Sequence, residues 1–406
     1  MCIIDISVVV CTYNRAALLR GALESLMALR TDGRFSYEIL VVDNASTDDT
    51  PQVVEQIRQG ATGISQGATG ISRDATGVSR DATGVSQGAT GVSPVPGVGQ
   101  VAERPSAGQI GNPSHDTGKM PVAPVPRPTR DSMVPIRSVR EPRKGVACAR
   151  NCGIQCAVGS WIAFFDDDQV ADPAWLLELF NAATSRSARV VGGAVRLLLS
   201  EDALAELPTV CRQLLGESVA LPAPERFHRK LTAASGSLLV HRTVFKEVGA
   251  FDETLREAGE DTDLSRRMQA AGIEGWYVPA SIAYHTVPAY RREEGYFRWT
   301  SLRNGMHLAR RERQPLGWPL FVLVLLARMA RVGVKHVPQY AWGRLCGSRT
   351  TRLAAQCQLW RIEGYVRAAL AAASPRLFPQ ERFLASMDFR SERQTFVGGA
   401  RPSAAT

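Results

Sequence analysis

The first 58 residues alternate between continuous apolar runs and a segment with helical periodicity. The runs ISVVVCTYN and YEILVVDNAS are short and end in polar turn residues, which is typical of strands in a parallel sheet covered on both faces. Between them Leu19, Leu23 and Leu26 recur at spacings of four and three, the period of an amphipathic helix. The pattern predicts strand, helix, strand, helix, the order of an α/β layer structure.

This pattern stops at residue 59, where a repeat begins. From Gln59 to Ser93 a seven-residue unit occurs five times, as QGATGIS, QGATGIS, RDATGVS, RDATGVS and QGATGVS. Each unit has one large aliphatic residue beside a glycine, whereas a coiled-coil seam needs two apolar positions per heptad. Such a tract buries too little apolar surface to offset its ordering entropy. Residues 59–132, which continue as Pro-rich sequence, are therefore predicted to be a disordered insert, with a β-solenoid coil as the alternative.

The α/β pattern resumes at residue 133. The stretch VPIRSVREPRKGVACARNCGIQCAVGSWIAFFDDD predicts strand, helix, strand, and further strands are expected at Val190–Leu199, Ser237–His241 and Trp276–His285. A long insert in a helix-to-strand connection has a small entropic cost. Residues 1–58 and 133–290 are therefore expected to form one domain.

Residues 291–406 are predicted to form a basic helical region. They include LGWPLFVLVLLA, residues 316–327, and three cations within the next eight residues. An uncharged run of this length is shorter than the roughly 20 residues that a transmembrane helix needs. The combination favours a helix lying on the surface of an anionic membrane. A buried core helix or a dimer contact is the alternative.

Charge is distributed unevenly along an otherwise ordinary globular composition. The chain of 406 residues is 45% hydrophobic and has a formal net charge of +9. From Thr286 onward there are 20 Arg or Lys and 7 Asp or Glu, so this part carries +13 and the remainder −4. A basic tail on a near-neutral body indicates an anionic partner, a lipid surface or nucleic acid, unless it is simply a solvated helical face.

Cysteine usage and the N-terminus both favour a reducing, cytoplasmic location. Eight cysteines are too few for a disulfide scaffold, and MCIIDISVVVCTYNR has neither the basic start nor the cleavage site of a signal peptide. Cys148, Cys152 and Cys156 share one helix face at spacings of four. They lack the distant second pair of a structural zinc site, so we expect small buried residues rather than ligands.

An acidic triplet, Asp166, Asp167 and Asp168, directly follows the apolar strand WIAFF. Strand alternation would point Asp166 and Asp168 one way and Asp167 the other, at the strand end where α/β sheets bind ligands. Mg²⁺ is typically held by one or two carboxylates and substrate phosphates. The triplet therefore predicts a divalent cation completed by a diphosphate, with an acidic helix-capping turn as the alternative.

A second acidic pair, Glu260 and Asp261, precedes a helix whose Leu264 and Met268 are expected to face inward. Carboxylates at a helix N-terminus are favourable for structural reasons alone. In the same crevice, however, one of them can act as general base for a hydroxyl. His285 ends the strand YVPASIAYH and is a possible third metal ligand, although a lone histidine is usually structural.

Six motifs, in order along the chain, resemble those of the family 2 inverting glycosyltransferases of GT-A fold. They are VVVCTYNR, ILVVDNASTDDT, KGVACARNCGIQCAVGSWIAFFDDD, VGAFDE, GEDTDLSRRM and VPASIAYH. The resemblance covers about residues 5–58 and 133–290. It implies a Rossmann-like α/β fold with a mixed, mostly parallel sheet sandwiched by helices. Residues 1–58 would form its nucleotide-binding half, and residues 133–290 its metal-binding, catalytic and acceptor half.

The resemblance also implies roles for individual residues. Positions that contact the nucleotide-sugar donor are matched by Thr12, Tyr13, Asp43, Arg150, Asp166 and Asp167. Positions at the metal, Mg²⁺ or Mn²⁺, are matched by Asp168, Asp166 and His285. Asp261 matches the catalytic base, and Glu260 lies beside it as a supporting or acceptor-side residue.

The implied reaction moves a sugar from a nucleoside-diphosphate sugar to a hydroxyl of a glycan or lipid-linked acceptor. The expected location is cytoplasmic and peripheral, at the inner face of the cell membrane. Processive relatives carry a Q-x-x-R-W motif and several membrane spans. In this chain Arg298 and Trp299 match the last two residues of that motif, but Gly295 stands in place of the glutamine. The enzyme is therefore expected to add one sugar per acceptor.

Two alternative functions remain open. A sugar-phosphate nucleotidyltransferase usually has a Gly-rich loop with Arg and Lys after its first strand, which CTYNRAALL lacks. An inactive transferase-like adaptor for membrane or nucleic acid would fit the basic tail. An adaptor of this kind, however, would not need both Asp168 and Asp261. No nucleic-acid partner is expected.

Overall fold

The computed structural model describes residues 4–62, 134–228, 231–232, 234–255 and 259–378. The second helix continues through Thr62, four residues into the segment predicted as an insert. The predictions for the remaining repeats and for the Pro-rich sequence lie outside the described residues.

The described chain alternates strands and helices and ends in two long helices. The strands are β1 Ile6–Thr12, β2 Tyr37–Asp43, β3 Ile136–Arg140, β4 Trp161–Asp166, β5 Gln169–Ala171, β6 Val190–Leu198, β7 Glu225–Arg226, β8 Ser237–His241 and β9 Gly275–Thr286. The helices are α1 Ala16–Met27, α2 Thr50–Thr62, α3 Val146–Cys156, α4 Trp175–Ser185, α5 Glu201–Ala205, α6 Thr209–Leu214, α7 Arg242–Val248, α8 Glu260–Ala270, α9 Glu294–Leu345 and α10 Arg349–Ala373.

The strands form one mixed sheet in the order β3-β2-β1-β4-β8-β6-β9-β5, with β7 paired to β9. Strands β3, β2, β1 and β4 are parallel to one another, and β6 is parallel to β9. Strand β8 is antiparallel to both β4 and β6, and β5 and β7 are antiparallel to β9. The predicted α/β class with a mixed sheet is confirmed, and β6, β8 and β9 lie within one residue of their predicted bounds.

Helices cover both faces of the sheet, which explains the continuous apolar runs. Val8 and Val10 of β1 pack on one face with α1, whose predicted apolar stripe is fully buried. Val9, between them, packs on the other face with Leu264 and Met268 of α8. Because successive residues of a buried strand face opposite cores, most positions are apolar. Ser7 of β1 and Glu38 of β2 are buried exceptions, and the Ser7 hydroxyl donates to Glu38 Oε1 at 2.7 Å.

The three cysteines of α3 lie on the second of these faces. Cys148 is buried, whereas Cys152 and Cys156 are half-buried, and all three are free thiols. Cys152 and Cys156 pack against the apolar core there. The expectation of small packing residues therefore fits the structure, although the burial of two of them is incomplete.

Helices α9 and α10 form an antiparallel hairpin whose backbones touch. A Cβ at Gly305 would lie 2.0 Å from the Arg361 carbonyl oxygen, and one at Gly364 would lie 2.1 Å from that of Leu302. Farther along, α9 is interrupted at Gly317, whose φ of 67° and ψ of 169° are not helical. Glycine is required at this position because side chains disfavour positive φ.

Gly305→Ala is expected to destabilise the protein by about 1–3 kcal/mol, because the added methyl group forces the two helix backbones apart. Gly333→Ala is the matched control: it lies in the same helix, and an added Cβ there has no neighbour within 4 Å. Its better helix propensity should stabilise the chain by up to about 1 kcal/mol. Denaturant unfolding of both variants measures the difference, and equal midpoints would contradict the close backbone contact.

Candidate functional site

A cavity of about 710 Å³ opens at the carboxyl ends of β1 and β4. Several predicted site residues line it, namely Thr12, Tyr13, Arg150, Asp166, Asp167, Asp168 and His285. The parallel pairing of β1 with β4 places Cys11 opposite Asp166, so residues that end these strands share one edge of the sheet. This is where α/β sheets bind ligands.

The acidic triplet is contacted by arginines that the sequence reasoning did not identify. Arg15 Nη1 lies 2.5 Å from Asp167 Oδ1 and 3.0 Å from Asp168 Oδ2. Arg291 Nη1 lies 3.8 Å from the same Asp168 oxygen. Part of the positive charge expected at the triplet is thus supplied by guanidinium groups of the protein.

The predicted alternation of the triplet is wrong for Asp167. Strand β4 ends at Asp166, and the next two residues form a turn before β5. Because strand geometry no longer applies beyond Asp166, Asp167 and Asp168 both reach the same Arg15 nitrogen. All three carboxylates therefore line one cavity.

The two outer carboxylates of the triplet have different environments. Burial raises the pKa of Asp168, but hydrogen bonding to His285 and the charges of Arg15 and Arg291 outweigh it and hold that pKa well below its usual range. Asp166 is 43% exposed toward the cavity. Desolvation and the charges of neighbouring carboxylates, opposed by Arg150, raise the pKa of Asp166 to about 6.

His285 is oriented by the backbone. Its Nδ1 donates to the Leu215 carbonyl oxygen at 2.8 Å, which turns Nε2 toward Asp168 Oδ2, 3.3 Å away. A hydrogen bond to that carboxylate requires a proton on Nε2 as well, which is the charged imidazolium form. Burial lowers the pKa of His285, but the hydrogen bond and charge of Asp168 outweigh it, so the net shift is upward. The histidine thus contacts Asp168 directly.

Among the described residues, no group of three or more His, Cys, Asp and Glu side chains is arranged to hold a metal ion. His285, predicted as a third ligand, lies with its Nε2 3.3 Å from Asp168 Oδ2. Asp166 and Asp168 nevertheless line the same cavity and offer hard oxygen donors. Two carboxylates fit a divalent cation whose remaining ligands come from a diphosphate and water.

Arg150 joins the triplet to the second acidic pair. Its Nη1 lies 2.8 Å from Glu260 Oε1 and 3.0 Å from Asp261 Oδ1, and its Nη2 lies 3.7 Å from Asp166 Oδ1. The guanidinium also lies over the Phe251 ring, 5.4 Å from its centroid. Burial lowers the pKa of Arg150, but the three carboxylates outweigh it and raise the pKa above its usual range.

Glu260 and Asp261 differ in solvent exposure, although they are neighbours in the first turn of α8. The Glu260 side chain is 10% exposed and that of Asp261 is 31% exposed. The Ser235 amide donates to Asp261 Oδ2 at 3.4 Å. Neither residue is among those lining the cavity, but the shared Arg150 places Asp261 at its border.

Three further residues predicted to contact the nucleotide-sugar donor differ in their position at the cavity. Thr12 is buried, whereas Tyr13 is 40% exposed, with Lys144 Nζ 5.7 Å from its ring centroid. Asp43 does not line the cavity; it is buried, and its Oδ1 accepts a hydrogen bond from the Ser46 amide. The next residue, Asn44, does line it.

Arg15 and Arg291 are the two cations beside the triplet that the sequence reasoning missed. Arg15 is the last residue of the motif VVVCTYNR, so its position inside that motif was an available signal. Arg291 lies in a short 3₁₀ helix, Ala289–Arg292, beyond the motifs. Of the partial Q-x-x-R-W match, Trp299 is buried in an apolar cluster, Arg298 is exposed, and neither lines the cavity.

The model of the family described as glycosyl transferase family 2 matches residues 7–79 and 130–236. This chain carries a glycosyl transferase family 2 domain. The two matched segments contain β4, the acidic triplet and all of β1 except Ile6, and the unmatched residues between them, 80–129, lie within the segment predicted as an insert.

Curated relatives share parts of the family 2 domain. The chain is 30% identical over 145 residues to pre-mycofactocin glycosyltransferase of Mycobacterium tuberculosis, across 35% of this chain and 30% of the relative. It is 26% identical over 167 residues to succinoglycan biosynthesis protein ExoM of Rhizobium meliloti, across 40% of this chain and 52% of the relative. The chain thus spans about a third and about half, respectively, of these relatives.

Two solved structures are similar at lower identity. Mannosyltransferase PcManGT from Pyrobaculum calidifontis, in complex with GDP-Man and Mn²⁺, is 15% identical with a TM-score of 0.44, covering 97% of this chain and 83% of that one. S. aureus TarS 1-349 is 15% identical with a TM-score of 0.42, covering 92% of each chain.

Proposed function

We propose that this chain is a metal-dependent, inverting glycosyltransferase that transfers one sugar from a nucleoside-diphosphate sugar to an acceptor hydroxyl. The observation that carries the proposal is the position of Arg150 between Asp166, in the cavity, and Asp261, at its border. A donor held at the triplet would have its reacting carbon near a carboxylate able to accept a proton. The family 2 domain supports the same reaction class.

The donor would occupy the cavity at the carboxyl ends of β1 and β4. Tyr13 offers an exposed ring for the base, with Thr12 and Asn44 lining the nucleoside side and Asp43 buried directly behind Asn44 in the chain. Arg15 and Arg291 lie beside Asp168, where their charge suits the oxygens of a diphosphate. The site therefore combines a stacking surface with cations for a phosphorylated ligand.

Asp166 and Asp168 would hold Mg²⁺ or Mn²⁺. When bound there, the ion supplies Lewis-acid stabilisation of the charge on the departing diphosphate. Arg15 and Arg291 add fixed positive charge at the same position. His285, held by Leu215, fixes the orientation of the Asp168 carboxylate.

Asp261 would act as general base. Its carboxylate takes the proton from the acceptor hydroxyl while that oxygen forms a bond to the anomeric carbon from the side opposite the diphosphate. The bond from that carbon to the diphosphate oxygen breaks, and the diphosphate leaves with the electron pair. Attack from behind inverts the configuration. Arg150 and the Ser235 amide position the carboxylate for this step.

The acceptor would be a glycan or a lipid-linked glycan, and the location cytoplasmic, at the inner face of the cell membrane. The names of two relatives place them in succinoglycan and O-antigen biosynthesis, which supports an envelope polysaccharide as the product class. The buried Trp299 and the glycine at the first position of the processivity motif support a single addition.

Calorimetry with UDP, GDP and dTDP, with and without Mn²⁺, tests the donor site. We expect one nucleotide to bind in a metal-dependent manner and Asp168→Asn to weaken that binding at least about tenfold, because it removes a charged ligand. Asp32→Asn, in an exposed ion pair with Arg30, is the control and should leave binding unchanged. Failure of every nucleotide to bind would contradict the proposed transfer and favour the adaptor.

A further inference from the structure

The part of α9 that follows the interruption at Gly317 leaves its apolar side chains in solvent. Leu323 is 63% exposed and Val334 is 81% exposed. An 18-residue window of α9 has a mean hydropathy of 1.6 and is only 6% buried, so by length and composition alone it would suffice to cross a membrane. The alternative of a buried core helix is therefore wrong, and the apolar segment is longer than the twelve residues counted in sequence.

Between Leu323 and Val337 the exposed apolar residues and the basic residues of this helix lie on different sides. Farther along, exposed Arg344 is in line with Leu326 and exposed Trp342 is in line with Lys335. Leu323, Leu326, Val334 and Val337 are all at least half exposed and recur at helical spacing on one side. Phe321, on the opposite side, is fully buried against α10. Arg328, Arg331 and Lys335 recur at spacings of three and four along one edge of the apolar strip. Such an arrangement is typical of a helix that lies in a membrane interface.

The charge around this strip is predominantly positive. Residues 313–362 contain eight Arg or Lys and no Asp or Glu. Arg328 lies close to Glu312, whose other carboxylate oxygen accepts from the Tyr365 hydroxyl. Burial and then the nearby charges of Arg266, Arg361 and Arg328 lower the pKa of Arg311. This excess of positive charge is complementary to an anionic surface.

Apolar surface also extends onto α10. A groove of about 480 Å³ between the two helices is lined by Met329, Val332 and Val337 on one side and by Leu359, Ile362 and Val366 on the other. Trp318 and Trp342, near the two ends of the strip, are 42% and 64% exposed. Tryptophan is favoured at the level of lipid headgroups.

We propose that the exposed strip of α9 from Trp318 to Leu345, with its basic edge, docks in the headgroup region of an anionic lipid bilayer. The inference rests on the membrane location proposed above, and it names the surface and the lipid class. Crossing the bilayer would place Arg328, Arg331 and Lys335 in or near hydrocarbon, which is costly. A symmetric dimer through this face would bring two copies of the same basic edge together, where like charges repel.

Flotation of the full chain with phosphatidylcholine vesicles, with and without phosphatidylglycerol, tests this surface. We expect binding only to the anionic vesicles and its loss at high salt. Lys335→Glu should weaken binding about tenfold or more, whereas Lys246→Glu, an exposed lysine on α7, should not. Leu323→Gln combined with Leu326→Gln should also weaken it at least about tenfold, and Leu198→Gln, an exposed leucine on β6, should not.

Absence of flotation, or flotation unaffected by the variants on the strip, would overturn the proposal. Binding that persists in high salt and alkaline carbonate would indicate a membrane span instead. A dimer that the double leucine variant dissociates, without flotation, would assign the strip to a second copy. Nucleotide calorimetry on the same preparation separates the two proposals, because loss of nucleotide binding with intact flotation refutes only the transfer reaction.

Discussion

Asp261→Asn is expected to lower the rate of sugar transfer by about 10²–10⁴-fold while donor binding stays close to that of the wild type. The amide can keep the contact from the Ser235 amide, which lies 3.4 Å from Asp261 Oδ2, but it cannot accept the proton of the acceptor hydroxyl. Donor binding is spared because Asp261 does not line the cavity. Transfer rates at saturating donor, together with calorimetric donor affinity, measure the two effects separately.

Asp263→Asn is the matched control for Asp261→Asn. Asp263 lies in the same first turn of α8 but pairs with Arg267, with 2.7 Å between carboxylate and guanidinium. Both substitutions remove one negative charge from the N-terminus of α8. The loss of favourable interaction with the helix macrodipole is therefore similar in the two variants and cancels when they are compared. A transfer rate reduced equally by both would show that Asp261 acts through helix stability, and an active Asp261→Asn would remove it as the base.

The neighbouring acids Glu260 and Asp261 illustrate how access separates a structural carboxylate from a reactive one. Glu260 is mostly buried and contributes an oxygen to Arg150, 2.8 Å away, so an acceptor cannot approach it. Asp261 shares that arginine but keeps 31% of its side chain exposed. Sequence places the two side by side and offers no means of choosing between them, except through the family resemblance.

Local elements of the fold were predictable because their signals are local. Leu19, Leu23 and Leu26 are all buried on α1, and the runs around Val8 and Val41 form parallel strands. The order of strands was not predictable, since β8 enters between β4 and β6. In the chain, α5, α6 and β7 separate β8 from β6, and β5, α4 and β6 separate it further from β4. Pairing of distant strands depends on tertiary packing, which no short window contains.

The acidic half of the site was predictable and much of its basic half was not. Asp166 to Asp168 stand together in the sequence, so their chemistry is visible as a motif. Arg15 and Asp167 are separated by 152 positions, and the sheet alone brings them together. A cluster of carboxylates indicates that cations must be near, but it does not indicate whether they are metal ions or guanidinium groups.

Arg150→Ala is expected to destabilise the protein by about 3–5 kcal/mol, the largest effect on stability that we predict. Arg150 is buried and is 2.8 Å from Glu260 and 3.0 Å from Asp261. Its removal leaves a buried carboxylate without its guanidinium partner and opens a cavity beside Phe251. Denaturant unfolding of the whole chain measures the loss. Arg189→Ala, which breaks an exposed pair with Glu247, should have an effect of at most about 1 kcal/mol.

A double variant distinguishes loss of charge pairing from loss of packing. In Arg150→Ala combined with Glu260→Gln, the buried negative charge is removed together with its partner, so part of the stability should return. If the two substitutions simply added their losses, the cost of Arg150→Ala would come from packing against Phe251 rather than from the unpaired carboxylate. Partial recovery would establish that Arg150 holds the second acidic pair to the cavity by charge, the arrangement on which the position of Asp261 depends.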